Sequence, residues 1–360
     1  MEHEFIRRDD DAERFEQVAA DFCAQRSCDY RFLATFRQYQ GAYSATVRRD
    51  LSFLVRRGSA AVALVYLPLE ERDGLLSVTI GGGYVPAPVT DDTPAERAAF
   101  GEIWTLARNA GAAKLAFHAC GATHDWSWNR LRAYGFIDTS TLDAVIKLST
   151  DERLLWQELR KSYKALINKF SNANGYRTSV IDAGNPDEAA HEHYRQLHAK
   201  AAGRVTRDKA SFDAQFRMLR EGHATLLNLH GPEGLLGCAY FLHHGRSVDY
   251  FSMADDPALA TRRLPISHVL IWAAVRHFGA KGFGLLRLSP PAGFTPVEGF
   301  GDYAEIKALA VAHFKHGMAS RTTTMFRGIR YFDERAFARD ADVFRMAVMQ
   351  ALKPSQCNPA

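Results

Sequence analysis

Residues 141–170 read TLDAVIKLSTDERLLWQELRKSYKALINKF, and the fold turns on this stretch. Thr141–Leu148 reads as a strand. From Asp151 to Asn172, Leu155, Leu159, Tyr163, Leu166 and Phe170 recur at helical spacing, and Gly175 offers a left-handed stop after the last turn. A strand that closes one run of elements is thus followed directly by a long helix that opens another. The junction lies near the middle of a 360-residue chain, too long for one ordinary core and a natural length for two. We expect domains over residues 1–150 and 151–330, with a helical tail over 331–360.

Reading back from the junction, Phe15, Val18 and Phe22 share a helical face within Asp10–Gln25. Strands are expected at Leu51–Val55, Ala60–Leu67 and Leu75–Thr79, with the acidic run Glu70–Gly74 as a hairpin-like loop. A helix begins at Pro94, capped by Asp92 or Thr93. A strand at Ala113–His118 and a helix at Asp125–Ala133 complete the half. Reading forward, helices are expected at Pro186–Ala202 and Asp208–Glu221. An antiparallel meander follows at Ala224–His230, Leu235–His243 and Ser247–Met253. A buried helix at Pro265–Phe278 leads to a strand at Gly284–Leu288. Both halves run helices, meander, helix, strand, although the first shows its second helix only weakly. The class is α/β, in α+β layers, with a mixed and mostly antiparallel sheet flanked by helices in each half.

Hydrophobic residues make up 47% and charged residues 24%, the balance of a globular protein, which excludes a disordered or fibrous chain. A net charge of +4 falls short of the basic stripe of a nucleic-acid binder, so no DNA partner is expected. It suits an anionic small substrate or modest contact with RNA. Five cysteines, an odd count without a CxxC pair, argue against a disulfide framework or a thiolate zinc site and point to a reducing, cytoplasmic setting. MEHEFIRRDDDAERF has no apolar core, so we expect no signal peptide and a free end leading into a helix. No run approaches the roughly 18 apolar residues of a membrane span. The pairs His191/His193, His243/His244 and His313/His316 lack a third ligand at metal spacing, and no metal is expected. No GxSxG elbow, P-loop or Rossmann fingerprint occurs in context.

The junction helix, W-x-x-L-R-K-S-Y-K-x-L-I-N, resembles that of the Fem family of non-ribosomal peptidyltransferases, built from two GNAT-type acyltransferase domains. Three further segments are similar in character: HEHYRQLHAKAAGRVTRDKASF, GLLGCAYFLHHGRSVDYFSMADDPAL and EIKALAVAHFKHGM. The likeness covers most of residues 100–320. It implies an acyltransferase with a degenerate first domain and a cleft in the second; a chain that pairs its own two domains is expected to be a monomer. Aminoacyl-tRNA would be the donor, and a small-molecule or nucleotide-sugar amine the acceptor, in cell-envelope or natural-product biosynthesis. Two alternatives stand beside it. One is an N-acyltransferase that takes its acyl group from a coenzyme A thioester or a carrier. The other is an inert tandem-GNAT protein that only binds a ligand. The coenzyme loop of GNAT domains is replaced here by Thr261–Ser267, which has no glycine and loses an amide donor at Pro265. Gly81-Gly82-Gly83 lies well before its helix. No resident cofactor is therefore expected.

Amide formation needs a placed acceptor, a stabiliser of carbonyl charge and a route for the proton. In the Fem pattern Lys315 faces the donor end; otherwise it is an exposed helix lysine. Arg204 and Arg207 suit bidentate phosphate binding, or the capping of helix carbonyls. Arg262 and Arg263 stand where the glycine loop is missing and could meet a phosphate of tRNA or coenzyme. Tyr250 either relays a proton or is a core aromatic, and Asp249 could orient the amine or act as a base. Arg160, Lys161, Lys164 and Lys169 form either an RNA-facing stripe or a solvated helix face.

Overall fold

A computed structural model describes residues 3–26, 28–90, 92–120, 126–170, 175–262, 264–288, 306–318 and 321–351. The chain opens with strand β1 (Glu4–Arg7), not a free end: it pairs antiparallel with Phe53–Arg56. Helix α1 (Ala12–Gln25) follows, its first turn capped by the carboxylate of Asp11, with Phe15 and Phe22 buried on one face. A 3₁₀ turn at Tyr30–Phe32 leads to α2 (Ala34–Tyr43), the helix that was only weakly visible in sequence. Strands β2 (Val47–Asp50), β3 (Phe53–Arg57), β4 (Ala60–Val65), β5 (Pro68–Arg72) and β6 (Leu75–Val78) are short and mostly antiparallel. The acidic run is therefore strand for most of its length. Only Asp73 and Gly74, both at positive φ, make the turn.

Strands β7 (Val85–Pro86) and β8 (Val89–Thr90) precede α3 (Thr93–Asn109), which Asp92 caps and Pro94 starts. Then come β9 (Lys114–Cys120), β10 (Ile137–Asp138) and β11 (Thr141–Lys147). Where a helix was expected at 125–133, the described residues hold only a 3₁₀ turn at Arg130–Tyr134; residue 125 itself lies outside them. The expected junction helix is two: α4 (Glu152–Glu158) and α5 (Lys161–Asn168). Leu159 and Arg160 are extended between them. The break re-aims the chain so that Leu155, Leu159, Tyr163 and Ile167 all reach one core.

The second half comprises β12 (Arg177–Ile181), α6 (Glu188–Ala202), α7 (Lys209–Arg220) and the meander β13 (Ala224–Gly231), β14 (Gly234–His244) and β15 (Ser247–Asp255). Helix α8 (Ile266–Ala280) runs past Phe278, its expected end, and through Gly279. That glycine is held inside the helix because a Cβ there would sit 2.6 Å from the Ser149 carbonyl oxygen. Strand β16 (Leu285–Arg287) and helix α9 (Ile306–Met318) follow. Strand β17 (Arg321–Tyr331) and helix α10 (Glu334–Ala351) close the described part of the chain. No helix among the described residues is long and apolar enough to cross a membrane.

Two sheets result, β1-β3-β4-β8 and a large one ordered β12-β13-β14-β15-β16-β11-β17-β9-β6-β5-β2. The order in the middle crosses the junction. Strand β11 of the first half pairs with β16 of the second, and β17 lies between β11 and β9. The largest buried cluster joins α4, α5 and α8 to the meander, and a second packs α3 on β9 and its neighbours.

Candidate functional site

Strands β15 and β16 are parallel over three registered pairs, Ser247 with Leu285, Val248 with Leu286 and Asp249 with Arg287. There β16 ends while β15 runs on to Asp255, so the sheet splits open at the Asp249–Arg287 pair. A bulge in β15 accompanies the split: Phe241 of β14 faces Tyr250 and Tyr240 faces Ser252, leaving Phe251 as the extra residue.

The split is lined by a closed ring of alternating charge. Arg287, buried on its strand, donates to both oxygens of Asp249 at 2.5 and 2.6 Å and to Asp29 at 2.9 Å. Arg31 donates to Asp29 at 2.9 and 3.0 Å and, more loosely, to Asp249 at 3.4 Å. Burial opposes ionisation of Asp29, but the guanidinium groups of Arg31 and Arg287 outweigh it and hold the carboxyl well below its usual range. Burial likewise works against the charge on Arg287, and Asp249 and Asp29 more than restore it. Bidentate, fully paired charges of this kind hold a rigid geometry rather than supplying much net stability.

Beside the ring, on β11, lies Asp143, which is 1% exposed. Its Oδ1 has no hydrogen-bond partner among the described residues, and Cys120 approaches Oδ2 at 3.9 Å. Burial pushes this carboxyl up to about 6; Asp249 adds to the shift, while Arg287, Lys315 and Arg31 oppose it. Lys315 on α9 is the nearby amine. Burial lowers its pKa and the carboxylate of Asp143 partly offsets that. Helix α9 can lie this close because Gly317 has no side chain: a Cβ there would be 2.4 Å from the ring of Tyr163 on α5.

In front of the ring opens a cavity of about 720 Å³, whose wall includes Arg31, Asp249, Tyr250 and Arg207 together with Tyr39 and Tyr43. Arg207 is buried yet has no carboxylate partner among the described residues. Its guanidinium donates to Tyr39 at 2.8 Å, Gln215 at 2.7 Å and Tyr194 at 3.2 Å, and stacks 3.8 Å from the ring of Phe212. Its Nε has no partner there. A buried cation held only by neutral acceptors leaves the cavity wall with unbalanced positive charge. Tyr250 packs 6.0 Å from Phe241, and burial pushes its phenol up to about 12.

The structure thus gathers Asp249, Tyr250 and Arg207 on one cavity, while Lys315, which is not on that wall, feels the charge of Asp143. Arg204 is exposed on the loop after α6, and Arg262 is exposed and paired with Glu233 at 2.6 Å. Arg263 lies outside the described residues. Of the basic cluster, Arg160 and Lys161 are exposed, and Lys164 donates to the Gln157 carbonyl. Gly81 and Gly82 donate their amides at 2.8 and 2.9 Å to Glu70, a fully buried carboxylate that also accepts from Thr79 at 2.7 Å. Those amides already have a partner inside the fold.

Asp29, Arg31, Asp143 and Arg287 escaped the sequence reading. For two of them a signal existed: Asp143 interrupts the apolar strand LDAVIKL, and Arg287 interrupts LLRL. A charge inside a buried strand demands a partner.

No family model matches the chain, and no curated protein matches it. Among solved structures it is similar to FemX, at 11% identity over 94% of this chain and 99% of that one, with a TM-score of 0.65. It is similar also to the DUF2156 C-terminal domain of a candidate lysylphosphatidylglycerol synthetase from Agrobacterium fabrum, at 12% identity over 94% and 96% of the two chains, with a TM-score of 0.59. L-PGS from Bacillus licheniformis matches at 12% identity over 92% and 96%, with a TM-score of 0.57. At such identities the likeness is one of fold: the chain has the fold of FemX and L-PGS.

Proposed function

We propose that the protein is an acyltransferase that forms an amide on a free amine, with aminoacyl-tRNA as donor and a small or nucleotide-linked molecule as acceptor. The observation that carries this reading is the cavity at the β15–β16 split, which places a buried, carboxylate-free arginine, a phenol and a charge ring on one wall. It sits on a fold shared with FemX and L-PGS, and the donor and acceptor are our inference.

In this mechanism the acceptor amine attacks the ester carbonyl of the donor. The N–C bond forms, the ester C–O bond breaks, the ribose oxygen leaves with a proton, and the amine gives one up. Arg207 holds an anionic group of the acceptor. Lys315 stabilises charge on the carbonyl or the departing oxygen. Asp143, pushed up to about 6, is ionised at neutral pH and supports the positive charge of Lys315. The oxygens of Asp249 already accept from Arg287 and Arg31, which suits it to orient the acceptor rather than to remove a proton. In this reading Tyr250, on the same wall, relays a proton. Coenzyme A as donor gains no support from the first half, where the Gly81 and Gly82 amides are engaged by Glu70.

The test begins with thermal melting of the purified full chain against acetyl-CoA, a long-chain acyl-CoA and a panel of nucleotide-sugars, since a ligand of the native state raises the melting point by mass action. A rise with a nucleotide-sugar that is lost in Arg207→Met, followed by transfer of label from charged tRNA to that sugar, supports the proposal. A rise with any coenzyme A ester overturns the tRNA donor, and a nucleotide-sugar that binds without ever accepting label leaves a binding protein.

A further inference from the structure

Two thiols outside the cavity are brought together by the chain immediately before Asp29. Cys23 stands in the last turn of α1 and Cys28 at the head of the strap that carries Asp29, Tyr30 and Arg31. Between them the backbone doubles back: Arg26 donates its amide to the Cys23 carbonyl at 3.4 Å, and Cys28 donates to the Arg26 carbonyl at 2.8 Å. The two thiols are free, both are buried, and they pack in the same cluster with Phe22, Phe32 and Leu54. They differ in access. Cys23 forms part of the wall of a second cavity, of about 320 Å³, whose other residues include the exposed Ala20, Gln38 and Glu221. Cys28 is not part of that wall.

We propose that Cys23 and Cys28 form a redox-active dithiol, in which Cys23 is attacked from the second cavity by a low-molecular-weight disulfide and Cys28 resolves the adduct into a Cys23–Cys28 bond. In the first step the Cys23 thiolate attacks one sulfur of the external disulfide, forming a mixed disulfide and releasing one small thiol. In the second, the Cys28 sulfur attacks Cys23 Sγ, the protein disulfide forms and the second small thiol leaves. The protein is oxidised by two electrons and the external disulfide is reduced by two, with one proton from each cysteine accounted for by the two thiols released.

The environment divides the two roles. Cys28 draws the Cys23 thiol below its usual pKa; burial opposes this, and the guanidinium groups of Arg37 and Arg26 reinforce it. Cys23, with burial adding to its effect, pushes Cys28 up. A thiolate is the attacking species, so the cysteine with the cavity is also the one suited to attack. Because Cys28 is joined directly to Asp29, whose carboxylate holds Arg287 and Arg31, a bond drawn between the two sulfurs pulls on the charge ring. This inference stands apart from the transfer chemistry proposed above and survives if that chemistry is wrong.

The experiment equilibrates the full-length folded chain in buffers of graded glutathione to glutathione-disulfide ratio, then alkylates the remaining thiols under denaturing conditions and maps them by mass spectrometry. Trypsin cuts at Arg26, between the two cysteines, so the bond appears as two joined peptides. Expected is the concerted loss of label from Cys23 and Cys28 with that joined pair appearing, while Cys120 and Cys238 keep theirs. In Cys28→Ser, glutathione should stay on Cys23; in Cys23→Ser, Cys28 should remain unmodified. Retention of both labels at every ratio, in a chain that forms the bond once unfolded in urea, overturns the proposal. So does a lasting glutathione adduct on wild-type Cys23, or loss of label from Cys120 and Cys238 in step with the pair.

Discussion

The molecule contains the same topological event twice and treats it in opposite ways. In the first half β6 and β9 are parallel for two registered pairs, Ser77 with Lys114 and Val78 with Leu115, and then part. In the second half β15 and β16 are parallel for three pairs and part at Asp249 and Arg287. The first gap is closed: β7 fills in beside β9, and the loop at Gly81–Gly82 is fastened to the buried carboxylate of Glu70. No strand fills the second among the described residues, and it has charges on its rim and a cavity of about 720 Å³ before it. A split in a sheet exposes backbone and demands partners. Meeting that demand internally yields a structural half, while leaving it to charged side chains yields a place for a ligand.

This contrast can be broken most forcefully at Arg287. Arg287→Met strips the ring of the cation shared by Asp249 and Asp29, and leaving buried charge unpaired should cost about 3–5 kcal/mol, read as a shift in the urea midpoint. A loss under about 1 kcal/mol would mean that water already enters the ring.

Next in size is Asp143. Its folded pKa is raised, to about 6, above the ordinary 3.8. The native state therefore binds the proton more tightly, and the group favours folding below the unfolded pKa, a contribution lost as pH rises through about 6. Stability of the wild type relative to Asp143→Asn should accordingly fall by about 2–3 kcal/mol between pH 4 and pH 8. If the ionised Asp143 supports the charge on Lys315 during transfer, the acid limb of the rate profile, centred near 6 in the wild type, disappears in Asp143→Asn. A stability difference that is flat with pH would show that the carboxylate is already satisfied.

Closure of the first split is sharpened by Glu70→Gln, which weakens the acceptor for two amides and the Thr79 hydroxyl. We expect a loss of about 1–2 kcal/mol in chemical denaturation, with ligand-induced melting shifts unchanged. A ligand shift that changed with it would make the first split part of the binding site. The smallest effect belongs to Arg262→Ala, whose exposed pair with Glu233 should be worth under about 1 kcal/mol and should shrink in salt.

How much of this was legible in sequence follows from the same contrast. The meander, α3 and α8 could be read because their apolar residues repeat at the period of the element and caps such as Asp92 mark the ends. Strand β17 could not, although it lies in the middle of the large sheet. RTTTMFRGIRY is polar along both faces, and its arginines are accommodated by distant carbonyls: Arg327 donates to Thr139 and Arg330 to Tyr134. Asp249 was singled out as a candidate, yet its partners were hidden. Arg31 lies 218 residues away in the chain, and the Asp29–Arg287 contact spans 258. No local pattern encodes a contact of that separation. The break at Leu159 was invisible for a different reason: the apolar spacing is the same whether the helix is whole or bent.

The interleaving of β11 and β17 also bears on how the protein is made. Synthesis delivers β9 and β11 early, but the strand that separates them arrives only with residues 321–331. A nascent chain halted short of that point holds two bare sheet edges facing an empty lane. Nascent domains ordinarily settle one after another from the N-terminus. Here the first half must wait for β17, the last strand in chain order among the described residues, and in the interval the lane is open to a chaperone or to β17 of a neighbouring copy on the same message.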